Sequence, residues 1–159
     1  MYLIVNLGLK SIRIIVFNNS GNVLYSNSLP VHTSLKNDRV EQDAEEWKIL
    51  LYNLLDELRD KTDLIPKIDF ITSTTSSSCV YGCDTQMKPI TKVLMVSDKR
   101  ASREVASITA KSIYIRKNIK EPICCTESSN IPKLLWIKNN AMEVFKNIKY
   151  WLGANEFLN

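Results

Sequence analysis

The feature that most constrains this chain is its first thirty residues, where apolar runs alternate with tight-turn signals. Tyr2–Leu7 is an apolar run suited to a strand buried on both faces. Gly8, Leu9 and Lys10 predict a turn. Ser11–Phe17 follows with the branched residues Ile12, Ile14, Ile15 and Val16. Asn18, Asn19, Ser20 and Gly21 are a strong turn signal, and residues 22–29 alternate as a third strand. Three strands joined this tightly form an antiparallel meander.

Residues 30–38 read as a loop. A helix then begins at Asp43, a candidate N-cap with Glu46 three residues on as its capping-box partner. Trp47, Leu50, Leu51, Leu54, Leu55 and Leu58 recur at helical spacing and form one apolar stripe facing a core. Residues 67–75 predict a fourth strand, and Thr72 to Ser78 is an unbroken run of hydroxyl residues. Residues 79–83 return as a strand turned by Asp84 and Thr85, and residues 93–96 are a short apolar run. Asp98 is placed to cap a helix running to about Lys111, and a less regular stretch leads to Pro122. Ser129 or Asn130 opens a second amphipathic helix with Pro132 in its first turn. Residues 141–146 form a further helix, and residues 150–159 a short strand and a last helical turn. Antiparallel strands followed by alternating strands and helices predict an α/β fold, a mixed sheet with flanking helices. A strand parallel to the first must follow the first helix by a right-handed crossover.

Composition narrows the function classes. With 159 residues, 45% hydrophobic and 24% charged, the chain reads as one soluble domain able to bury a core without disulfides or metal. Only 4 glycines occur, and no GxxxxGK[ST] phosphate loop is present. The net charge of +4, from 21 basic and 17 acidic residues, is scattered rather than striped, so neither nucleic acid nor a membrane is expected as partner. No leader is expected at the N-terminus, and no apolar run approaches the roughly 18 residues of a membrane span. Cys79, Cys83, Cys124 and Cys125 lack zinc-ribbon spacing and read as thiols of a reducing cytoplasm. His32 is the only histidine and lies in a polar loop, so no Ser-His-Asp or Cys-His nucleophile can be assembled. Glu57, Asp60, Asp63 and Asp69 fall in a helix end and linker expected to be solvated.

Five segments, in order, carry a family resemblance. Tyr2 to Arg13 is similar to an apolar strand followed by D-L-G-T-S-x-x-K/R. Val40 to Trp47 is similar to E-Q-D/N-P-E-x-W. Val93 to Ala101 resembles I-x-W-x-D-x-R-A. Pro132 to Lys138 resembles P-K-L-L-W-x-K, and Trp151 to Leu158 resembles L-x-x-x-D-Y-L. These are segments of the N-terminal domain of the FGGY carbohydrate kinases, which include xylulokinase, glycerol kinase and ribulokinase. The resemblance implies an actin-like, ribonuclease-H-like fold with a mixed five-stranded sheet. It also implies a parent chemistry, transfer of the ATP γ-phosphoryl group to a sugar or polyol hydroxyl with Mg²⁺ bridging the phosphates.

The matched positions depart from the family in specific ways. Asn6 stands where the family has an Asp that helps hold hydrated Mg²⁺, and a neutral amide attracts a hard cation less than a carboxylate does. Leu9 replaces the phosphate-contacting Thr and has no hydroxyl. Gly8 still permits a tight turn, and Lys10, Ser11 and Arg13 are the groups left to meet an anion. Ser77 and Ser78 stand where xylulokinases carry Met-His and glycerol kinases Arg-Glu, side chains that read the sugar. A Ser/Thr-rich strand end satisfying its own backbone fits these serines equally. Asp98 matches an acid that borders the sugar pocket in some members, besides its place as a helix cap. Met95 or Val96 lies in the neighbourhood of the family's Trp.

Length is the larger departure. The resemblance implies a partial N-terminal domain over residues 1–159, with the catalytic base and the second, nucleotide-binding lobe absent. No catalytic residue and no metal ligand is therefore assigned, and ATP and Mg²⁺ are not expected to bind tightly to this chain alone. The expected partners are a sugar or polyol, the missing C-terminal lobe, or a second copy meeting an exposed apolar surface. A degenerate, non-catalytic binding or regulatory module on the same fold is the alternative, favoured by Asn6 and Leu9.

Overall fold

The two opening apolar runs form strands with the limits their flanking turns predict: β1 spans Tyr2–Leu7 and β2 Ser11–Phe17. They pair antiparallel, with Tyr2 opposite Phe17 and Leu7 opposite Ile12. The computed structural model describes residues 1–115 and 125–159. Two compact units are formed, one from Met1–Thr33, Asp43–Ser77 and Ala154–Asn159, the other from Ser34–Gln42 and Ser78–Gly153.

In the first unit, β3 (Val23–Pro30) completes the meander. The Asn18 side chain makes the β2–β3 turn, accepting from the amides of Ser20 and Asn22, and Gly21 takes the left-handed φ of 81° that the turn needs. Helix α1 (Ala44–Lys61) starts as its cap predicts, with Asp43 Oδ1 accepting from the Glu45 amide at 2.9 Å. Glu46 reaches the His32 amide at 3.2 Å. Trp47, Leu54 and Leu58 are buried, while Leu50, Leu51 and Leu55 are half-buried at the stripe's margins. Each fully buried side chain of this size stabilises the fold by about 1.5–3 kcal/mol relative to exposure.

The crossover through α1 delivers β6 (Phe70–Thr75) parallel to β1, with Tyr2 opposite Phe70 and Leu7 opposite Thr75. The sheet order is β3-β2-β1-β6. Among the described residues it has four strands, not the expected five. Residues 79–83 and 93–96 leave this sheet and pair elsewhere. Nor is β1 buried on both faces. Leu3, Val5 and Leu7 are buried, whereas Ile4 and Asn6 are half-buried. Helix α1 packs against β2 and β3, and the terminal helix α5 (Ala154–Leu158) packs against β6. Phe157 meets Trp47 edge-on at 5.4 Å.

The second unit corrects the loop expected over residues 30–38. β4 (Ser34–Lys36) and β5 (Arg39–Gln42) form a hairpin around Asn37 and Asp38, with Asn37 at φ 53°. An asparagine tolerates this left-handed turn position, and the short charged strands show no apolar alternation to betray them. β5 pairs with β8 (Val93–Leu94), and β7 (Tyr81–Cys83) with β9 (Tyr150–Leu152). Helices α2 (Ser102–Ile115), α3 (Asn130–Asn140) and α4 (Met142–Asn147) complete the unit. Its core gathers Val80, Leu94 and Ile137 with Leu134, Trp136, Phe145, Ile148 and Trp151. Gly82 is needed for this packing. A Cβ there would lie 2.6 Å from Ile148 Cδ1.

Cys79 and Cys83 are buried thiols and Cys125 is a half-buried one, none of them in a disulfide. Cys124 and Pro122 lie outside the described residues. His32 is exposed. The carboxylates of the α1 end and linker are solvent-side ion pairs, Glu57 with Lys61 and Asp63 with Lys67, both at 2.6 Å. No helix among the described residues is long and apolar enough to cross a membrane.

Candidate functional site

In the first unit, the parallel pairing of β1 and β6 brings two carboxyl ends together. Ligands of open α/β sheets bind at such ends, because the loops leaving them are free to differ while the strands hold them in place. Asn6 is half-buried here. It lies opposite Arg13 on β2 and opposite Thr74 on β6. The row Arg13–Asn6–Thr74 crosses three strands on one face. Thr74 was not singled out by sequence, because a threonine inside a hydroxyl run carries no local signal. Beyond β6, the Ser76 amide donates to the Leu7 carbonyl at 3.1 Å and extends the ladder towards Ser77.

The β1–β2 turn is held by its own backbone. The Gly8 amide donates to the Ser11 carbonyl at 3.0 Å, and the Lys10 carbonyl accepts from Val31 at 2.9 Å. Lys10 and Arg13 are exposed, Ser11 is half-buried, and Leu9 is 46% exposed with no polar group to offer a phosphate. Gly8 does not take a left-handed φ. A Cβ on it would sit at ordinary contact distance, 3.5 Å from Asn6 Oδ1 and from the Ser11 carbonyl. The turn therefore does not depend on glycine's conformational freedom. The turn does not fit hydrated Mg²⁺ either, since Asn6 offers it a neutral amide, and among the described residues no group of three or more His, Cys, Asp or Glu could hold a metal ion.

In the second unit, Ser78 opens the segment leading to β7 with a φ of 61°, a conformation that costs a serine on the order of 1 kcal/mol. Its carbonyl accepts from Lys133 Nζ at 2.7 Å.

Helix α2 begins at Ser102, so Asp98 stands ahead of its first turn. Asp98 is fully buried, and its Oδ1 accepts from the Arg100 amide at 3.2 Å. Its Oδ2 accepts from the Val40 amide at 2.8 Å and from Arg100 Nη2 at 2.7 Å, and its Oδ1 from Arg100 Nε at 2.8 Å. Arg100 Nη2 also donates to Glu41 Oε1 at 2.6 Å. Asp98 is thus a strut fastening the β8–α2 connection to β5, with its oxygens engaged by protein donors. Burial works against the Arg100 cation, but the hydrogen bonds to Asp98 and Glu41 outweigh it and hold its pKa above the ordinary value. The Trp136 ring lies 5.0 Å from the Arg100 guanidinium and 5.2 Å from that of Arg39.

Lys133, which the sequence reading passed over, is also fully buried. The signal available for it was a lysine inside the apolar Pro132–Leu135 stretch.

A family model described as "FGGY family of carbohydrate kinases, N-terminal domain" matches residues 1–159. Among curated relatives, a xylulose kinase of Lactococcus lactis subsp. lactis is 24% identical over 160 residues, covering 97% of this chain and 31% of the relative. One from Staphylococcus epidermidis is 26% identical over 158 residues, with the same coverages of 97% and 31%. The chain thus spans about a third of the length of these relatives. Among solved structures, xylulose kinase from Rhodospirillum rubrum superposes with a TM-score of 0.86 at 22% identity, covering 98% of this chain and 32% of that one. Glycerol kinase of Plasmodium falciparum with ADP does so with a TM-score of 0.79 at 22% identity, covering 99% and 33%. These likenesses share one fold, the actin-like mixed α/β arrangement.

Proposed function

The chain belongs to the FGGY family of carbohydrate kinases, and from that premise we propose that it forms the acceptor side of a kinase that phosphorylates a sugar or polyol at the expense of ATP. The family match along residues 1–159 carries this reading. In the proposed reaction a sugar hydroxyl oxygen bonds to the γ-phosphorus, the bond to the ADP oxygen breaks, and a base takes the hydroxyl proton. Positioning is most of what such a protein supplies.

Ser77 and Ser78 are the acceptor-reading groups in this reading. Their hydroxyls both donate and accept, which suits a polyol without fixing which one. Gly8, Lys10, Ser11 and Arg13 face the phosphates. Lys10 and Arg13 supply charge there, and Asn6 and Leu9 supply none. The residues of this turn offer no ligand set for the metal, so we assign no catalytic residue in residues 1–159 and expect the isolated chain not to transfer phosphate. The work belongs in the cytoplasm, where ATP is abundant and free thiols persist.

An exposed apolar edge supports a partner. Phe70 is 63% and Ile71 71% exposed on the terminal strand β6, and Tyr2 stacks on Phe70 with ring centres 5.6 Å apart. A groove of about 440 Å³ beside it is lined by Leu51, Leu55, Ile71 and Leu158. Such an edge invites a further strand or a second copy. The second reading, a non-catalytic binding module, is favoured by Asn6 and Leu9.

The test incubates the pure chain with ATP, Mg²⁺ and a panel of pentuloses, hexuloses and polyols, and follows the Ser77 and Ser78 amides by NMR. No turnover with a sugar-dependent shift at these serines is the expected result. Turnover above a blank overturns the inactivity, and silence of both serines towards every sugar favours the binding module.

A further inference from the structure

Lys133 is a fully buried charged group in the second unit that the proposed function does not use. Its side chain carries an ammonium into the interior of α3's packing, where an unpaired charge is costly. No carboxylate pairs with it at ion-pair distance among the described residues. Instead Nζ donates to three main-chain carbonyls, those of Ser78 at 2.7 Å, Met95 at 2.8 Å and Ser128 at 3.4 Å. An ammonium has three protons, so the set uses its whole donor capacity.

The choice of carbonyls is informative. Ser78 carries the left-handed φ of 61°. A strained serine persists only where its surroundings over-determine it. Met95 directly follows β8, in the segment that resembles the family's pocket-lining stretch. One cation therefore ties together two main-chain segments, each of which carries a residue expected at the acceptor site.

We propose that Lys133 is a positioning residue, holding Ser78 in its left-handed conformation and fixing it against Met95. The relevance to sugar recognition rests on the acceptor-site reading above, while the clamp itself does not. A lysine at this place fills a role that a hydrophobic residue of similar length cannot, because three carbonyls would lose their donor together. Arginine is no substitute, since its planar fork cannot converge on three carbonyls around one nitrogen.

A double-mutant cycle in the full chain tests this, with Lys133→Met, Ser78→Gly and the pair. Glycine adopts a positive φ unaided, so Ser78→Gly removes the need for the clamp at Ser78 only. Lys133→Met is expected to raise amide exchange around residues 78 and 96 on the order of tenfold relative to β1 and β2. It is also expected to change the φ-sensitive amide–Hα coupling of Ser78. Ser78→Gly should then raise the urea midpoint more in the Lys133→Met background than in the parent. Equal shifts in the two backgrounds, or an unchanged Ser78 coupling, overturn the proposal. If Lys133→Met does not fold, Lys133→Gln, which keeps a donor, takes its place in the cycle. A cycle that shows coupling while no pentulose or polyol moves Ser78 supports the clamp and counts against the acceptor-site reading alone.

Discussion

Asp98 grips Arg100 through both Nε and Nη2, at 2.8 and 2.7 Å, inside a strut whose carboxylate is fully buried. The fork also reaches Glu41, which comes from a strand far away in sequence. Removing one partner of such a buried pair strands the other charge, at a cost of about 3–5 kcal/mol. Asp98→Ala is therefore expected to lower stability by that order. Arg100→Lys should also destabilise, because a single ammonium cannot reproduce the bidentate geometry. Urea unfolding followed by circular dichroism measures both. A loss under 1 kcal/mol for Asp98→Ala would return this residue to candidacy as a ligand-facing acid.

Glycine substitutions should separate packing from turn chemistry. Gly82→Ala places a methyl 2.6 Å from Ile148 and is expected to cost about 1–3 kcal/mol. Gly21→Ala meets no atom within 4 Å but is strained by its φ of 81°, for a loss of about 1 kcal/mol. Gly8→Ala meets only ordinary contacts and should be close to neutral. Thermal melts of the three variants give the order, and a costly Gly8→Ala would show that this turn does need glycine.

How far these roles were legible depended on how local their causes are. The limits of β1 and β2 follow from apolar runs broken by Gly8 and by Asn18 to Gly21, all within a few residues. The start of α1 is legible for the same reason, since Asp43 caps an amide two positions on. The β4–β5 hairpin escaped, because its strands carry Lys36, Arg39 and Glu41 in place of an apolar alternation. Asp98 shows only a cap-like residue before a helix, and it does accept the Arg100 amide two positions on, but the Val40 amide that fastens it to β5 lies 58 residues away. Lys133 escaped for a different reason. Lysine is almost never fully buried, so the default reading puts it on the surface.

The Asn6 position predicts a gain of metal affinity on restoring a carboxylate. Arg13 lies opposite Asn6, so the new charge has a cross-strand partner and the sheet should tolerate it. Asn6→Asp is expected to fold normally and to bind Mn²⁺ more tightly than the parent. Paramagnetic broadening of the Gly8 and Thr74 amides, present in the variant and weak in the parent, is the readout. Equal broadening in both would mean that this residue does not set metal affinity.

The β6 edge predicts concentration-dependent association. Phe70–Thr75 contains no charge, no proline and no glycine, so it lacks the usual protections of an edge strand. The parent should grow in mass with concentration in light scattering after gel filtration. Ile71→Lys, on a residue 71% exposed, should abolish that growth at little cost to stability. A strictly monomeric parent at high concentration would sink the prediction.

Alkaline pH should reveal the burial of Lys133. Desolvation lowers its pKa below the ordinary 10.5, against the partial opposing pull of Asp98 and Cys79. The folded state therefore holds this proton less tightly than the unfolded chain. Below the folded value both states are charged, and the full cost of burying the cation is present. As pH rises from the folded value towards 10.5, the unfolded chain binds more protons and stability rises with pH. Lys133→Met has no such proton, and other groups cancel in the difference between the two proteins. The stability of the parent relative to Lys133→Met is thus expected to increase across that alkaline window, measured by urea unfolding at stepped pH. A difference that stays flat, or falls, would mean that the ammonium is solvated and that its three carbonyls are not its only acceptors.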